Sequence, residues 1–66
     1  MKVNVSKISL IMAQKQLKSQ DVAQMGGISR QALSVIRAKG TCTEISLSKI
    51  AKGLGVEVEE IIVKEE

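Results

Sequence analysis

The 66 residues carry no histidine, no aromatic side chain, no proline and one cysteine, Cys42, at a net charge of +3. This excludes an internal disulfide framework, a Cys/His zinc site and any histidine-dependent catalytic arrangement, and it limits the core to aliphatic side chains. The length fits one domain over 1–66, no apolar run approaches a membrane span, and the opening MKVNVSKISL lacks the long apolar stretch of a secretory signal, so a cytoplasmic protein is expected.

In chain order, Ser6 is placed to cap a first helix whose apolar positions Ile8, Ile11 and Met12 recur at helical spacing. That helix is expected to end between Lys15 and Leu17. Ser19 caps a second, short helix, with Asp21 complementing the dipole of its first turn and Val22, Ala23 and Met25 as its apolar face. Gly26-Gly27 ends it, because glycine readily takes the left-handed conformation that stops a helix. Ile28 returns to the core. Ser29 caps a third helix with Ala32, Leu33 and Ile36 inward, and Gly40 ends it. TCTE forms a loop with Thr43 as the next cap. A fourth helix over 45–54 turns Leu47, Ile50, Ala51 and Leu54 inward and stops at Gly55, and a short fifth runs over about 58–62. The ends stand between two readings: the alternating KVNV and the β-branched IIVK either pair as a two-stranded antiparallel ribbon or stay irregular. Both readings give an all-α fold of five helices.

Charge is polarised along the chain. Residues 1–43 hold seven cations against Asp21 alone, whereas residues 44–66 hold six glutamates against three lysines. A basic part suits an anionic partner such as nucleic acid. The spacing in SQDVAQMGGISRQALSVI sharpens that suggestion. Ala23 supplies a small side chain where two steeply crossed helices touch, and Gly27, four residues on, supplies the turn. Leu33 and Ile36 pin the second helix so that its polar side faces outward.

The stretch LKSQDVAQMGGISRQALSVIRAKG resembles the helix-turn-helix of the phage lambda repressor/Cro-like (XRE) family, and LSKIAKGLGVEVEEII resembles that family's fourth and fifth helices. The resemblance covers roughly Ser6 to Ile62, with the helix-turn-helix over 19–38. It implies a compact five-helix domain that binds double-stranded DNA sequence-specifically, usually as a homodimer, in transcriptional control. Three features depart from the family pattern. Gly26 replaces a bulky apolar residue, leaving Met25 to fill that space. Met12 and Arg37 stand where the family often has an arginine and a glutamate that pair, so Arg37 is expected to point to solvent or phosphate. Leu10 is apolar where the family is polar, which suggests contact with the chain ends or a partner subunit.

The third helix fits the major groove of B-DNA by width. Arg30 can fork onto guanine, Gln31 can bond the adenine edge, Ser34 can donate or accept, and Val35 can touch a thymine methyl. Out of context these are ordinary solvated residues of an amphipathic helix. Candidate backbone contacts are Lys18, Ser19, Gln20, Ser29, Arg37, Lys39, Thr41 and Thr43, the family using a glutamine at the Gln20 position on phosphate. Val56, Val58, Ile61 and Ile62 either finish the core or pair two subunits; the resemblance places the dimer interface in this region, with Leu10 added, and sets two recognition helices about 34–36 Å apart. The acidic stretch from Glu57 to Glu66 is expected to face away from DNA. No cofactor, metal, small-molecule ligand or membrane partner is expected. An enzyme is disfavoured, since no base, nucleophile or metal set is evident. A repressor is the leading reading. An antitoxin of a toxin–antitoxin pair and a helical adaptor without DNA binding are the alternatives. A single-strand or RNA binder is disfavoured by the absence of stacking aromatics.

Overall fold

The computed structural model describes residues 1–63. Lys64, Glu65 and Glu66, which close the expected ribbon and acidic stretch, lie outside the described residues. All five expected helices form: α1 (Val5–Lys15), α2 (Ser19–Gly26), α3 (Arg30–Lys39), α4 (Glu44–Leu54) and α5 (Val58–Ile61).

Local hydrogen bonding sets these bounds. The cap of α1 is Asn4, not Ser6: Asn4 is extended and its Oδ1 accepts from the Lys7 amide at 3.0 Å. Asparagine is among the strongest caps, and Ser6 falls inside the first turn. Ser19 is likewise the first residue of α2 rather than its cap. The carboxylate of Asp21 accepts from the Lys18 amide at 2.9 Å and closes that turn, which leaves the Ser19 hydroxyl for tertiary contacts. Ser29 and Thr43 do cap α3 and α4, accepting from the amides of Ala32 at 3.1 Å and Ser46 at 3.2 Å. Gly27, Gly40 and Gly55 end α2, α3 and α4 in the left-handed region. Gln16 ends α1 there too, at φ 57°, although it has a side chain.

The core is aliphatic throughout, with Ile8, Val22, Leu33, Leu47, Ile50, Leu54 and Ile61 fully buried and Met12 close beside them. The most extensive helix contact is α2 on α4, and two glycines make it possible. A Cβ on Gly26 would strike the Lys49 carbonyl oxygen, and a Cβ on Gly53 would strike the Val22 carbonyl oxygen. The two helix backbones therefore meet without side chains between them. This corrects the role expected of Met25, which is 57% exposed and belongs neither to the apolar face of α2 nor to the space beside Gly26. Helix α4 itself fills that space.

Among the described residues the chain ends pair through one isolated antiparallel bridge, Val3 with Ile62, and Lys2 makes a second with Thr41 of the loop after α3. Residues 1–4 thus lie between the loop after α3 and the end of α5. The Val3 amide donates to the Gly40 carbonyl at 2.9 Å and the Asn4 amide to that of Ile61 at 2.7 Å. The Cys42 and Val63 amides donate to the carbonyls of Met1 and Lys2. The second partner, 40–42, was not expected from the sequence. It ties the loop that follows α3 to the buried side chain of Val3.

Candidate nucleic-acid interface

The α2–turn–α3 unit is built from a small set of constraints. Gly27 holds φ 74°, and the Ile28 amide donates to the Ala23 carbonyl at 2.9 Å, which closes the turn. Ala23 is buried, and Leu33 and Ile36 anchor α3 in the core. These anchors fix the rotation of α3. Its opposite edge presents Arg30, Gln31, Ser34 and Val35, all exposed. Ser29, Arg30, Gln31 and Ser34 line one shallow recess. Gln31 and Val35 also line a groove that continues to Cys42, Thr43 and Ser46, at the start of α4. The four candidate base-contacting residues therefore share one continuous, solvent-facing edge over the first six residues of a capped helix.

The candidate backbone contacts divide by environment. Lys18, Gln20, Ser29, Lys39, Thr41 and Thr43 are exposed, Ser29 and Thr43 lining the recesses beside that edge. The hydroxyls of Ser29 and Thr43 are engaged as caps, and Thr43 also donates to the Ser46 hydroxyl at 3.1 Å. Ser19 is half-buried, and its Oγ accepts from Arg37 Nη1 at 3.1 Å. Of the two placements expected for Arg37, solvent or phosphate, free exposure to solvent is not what forms. It is half-buried, and its Nη2 donates to Ser9 Oγ on α1 at 3.1 Å. Ser9 was missed by the sequence reading. No local pattern marks it, because its role depends on Arg37 from another helix.

Of the two roles open to the candidate dimer residues, Ile61 takes the core and leaves the interface set. Its side chain is 0% exposed and belongs to the core, where it closes the space between α5 and the N-terminal segment. Val56, Val58 and Ile62 are half-buried against the same core, and Leu10 is 51% exposed. Ile45, not singled out from the sequence, is the most exposed of the large apolar side chains among the described residues, at 71%. Burial pushes the Cys42 thiol above its ordinary value, against a smaller downward pull from the amino terminus. A thiol held neutral is a poor nucleophile.

Among the described residues no cluster of three or more His, Cys, Asp or Glu could hold a metal, and no helix is long and apolar enough to cross a membrane. No curated protein and no solved structure gives a significant match to the chain. A family model does: residues 7–66 match the Cro/C1-type HTH DNA-binding domain. That match spans nearly the whole chain, including the glycine turn and the helix whose polar edge lies open, and the chain belongs to the Cro/C1-type helix-turn-helix DNA-binding domain family.

Proposed function

We propose that this protein is a sequence-specific transcriptional regulator of the cytoplasm, acting as a repressor and binding an inverted-repeat operator in double-stranded DNA as a homodimer. One observation carries the reading: Leu33 and Ile36 are buried while Arg30, Gln31, Ser34 and Val35 stand open on the other side of α3. A helix rotated in this way can lay its N-terminal half in the major groove. Arg30 then serves guanine, Gln31 adenine, Ser34 either partner, and Val35 the thymine methyl. Lys18, Gln20, Ser29, Lys39, Thr41 and Thr43 supply backbone contacts that fix register, joined by Ser19 at the start of α2 and Arg37 in the last turn of α3. Leu10 and the outer faces of Val56, Val58 and Ile62 form the subunit contact. The reaction centre of an enzyme has no place in this scheme.

Selection of bound duplexes from a random pool at fixed salt tests the proposal. The expected product is an inverted repeat whose half-site centres lie about one helical turn, roughly 34–36 Å, apart. Recovery of no motif would refute sequence-specific binding and leave the protein-interaction reading.

A further inference from the structure

Arg37 lies in the last turn of α3, and its guanidinium reaches two other helices at once. Nη1 donates to Ser19 Oγ at the start of α2, and Nη2 donates to Ser9 Oγ in the middle of α1, both at 3.1 Å. Both partners are neutral hydroxyls, and no carboxylate pairs with Arg37 among the described residues. A guanidinium has five N–H donors and keeps its charge at any accessible pH. Two donors hold the group in place. The others remain on a side chain that is still partly open to solvent.

We propose that Ser9 is a positioning residue for DNA-backbone recognition: with Ser19 it holds the Arg37 guanidinium ready for a phosphate. The inference rests on the DNA-binding reading above. A free arginine loses rotamer freedom when it grips a phosphate, and a side chain already held in place loses less. A serine also leaves the positive charge uncancelled, whereas a carboxylate partner would neutralise it before DNA arrives. Ser9 is not among the residues on the exposed edge of α3, and it acts only through Arg37.

The test uses the duplex that the wild-type chain selects from a random pool, with affinity measured across a salt series and melting followed in parallel. Ser9→Ala is expected to weaken binding about three- to tenfold, the scale of one lost hydrogen bond, and leave the salt slope unchanged. Arg37→Ala is expected to weaken binding more and lower the salt slope by about one counterion. The double variant is expected to bind like Arg37→Ala alone, because Ser9 has nothing left to position. Ser9→Thr, which keeps the hydroxyl, is expected to restore wild-type affinity, and if Ser9→Ala does not fold, Ser9→Val, isosteric with Ser9→Thr but without the hydroxyl, carries the test with the same expected loss. Independent, additive losses from Ser9→Ala and Arg37→Ala would overturn the proposal. So would an unchanged salt slope in Arg37→Ala, since that assigns Arg37 a purely structural role. If Ser9→Ala or Ser9→Thr fails in these ways while Arg30→Ala still weakens binding, only the positioning role falls. If the wild-type chain selects no duplex, the DNA reading falls with it.

Discussion

Arg30 stands at the first position of α3, exposed, one residue beyond the capping hydroxyl of Ser29. Truncating it removes a fork that matches the guanine edge, and about 1–3 kcal/mol of discrimination is expected to go with it. Gln31→Ala should cost a similar amount at a neighbouring base pair, measurable as Kd ratios between matched and singly substituted duplexes. Gln16 makes a separate point about stability. Its left-handed backbone costs a side-chain-bearing residue about 1–2 kcal/mol, so Gln16→Gly should raise the melting temperature by a few degrees. Cys42 adds a pH term. Its thiol is held neutral in the fold, so its contribution is complete below the ordinary thiol value of 9.0 and is lost as pH climbs beyond it. The urea midpoints of wild type and Cys42→Ser should therefore differ by a constant amount below that pH and diverge in favour of the variant above it. Ser19 shows where residue-level reading stops. A serine before an apolar run is a natural cap, yet the Asp21 carboxylate closes the turn and the hydroxyl serves Arg37 instead. That choice depends on a residue from another helix, which local spacing does not contain.

At the scale of elements, helix stops were legible because left-handed caps depend on local chemistry, and Gly27, Gly40 and Gly55 each hold one. The edge of α3 was legible for a similar reason: a 3.6-residue period fixes which side chains turn inward once Leu33 and Ile36 are buried. Gly26 was not legible. Its need for a bare Cα comes from the carbonyl of Lys49 on α4, and within α2 it looks only like a missing apolar residue. The reciprocal pair gives a strong expectation. Gly53→Ala should gain helix propensity of up to about 1 kcal/mol and still destabilise the fold, because the added methyl meets the Val22 carbonyl. Gly26→Val, closer to the family pattern, should be worse than Gly26→Ala, with both followed by urea denaturation. The N-terminal segment is a second long-range element. Val3→Ala removes buried apolar surface between the 40–42 loop and the end of α5, and a loss of about 2 kcal/mol is expected.

For the molecule as a whole, the fold joins two unlike surfaces. The basic half of the chain carries α2 and α3, while Glu57, Glu59 and Glu60 lie exposed on or beside α5, which packs on α1 and α4. Such an arrangement favours one orientation toward a polyanion. If Lys18, Arg37 and Lys39 each displace a counterion, log Kd should change with log salt by about 2.7 per protomer. The residues of the proposed subunit surface were the least legible part of the site. From the sequence Ile61 suits the core or a subunit contact equally, and only the closing of the core by α5 shows that it has no area to offer. The central claim concerns the open edge of α3, and its most direct test is a base-by-base specificity profile of wild type, Arg30→Ala and Lys39→Ala. Arg30→Ala should lose preference at one base pair in each half-site and keep the others, while Lys39→Ala should bind every sequence uniformly more weakly. A profile for Arg30→Ala that matches wild type at every position would contradict it.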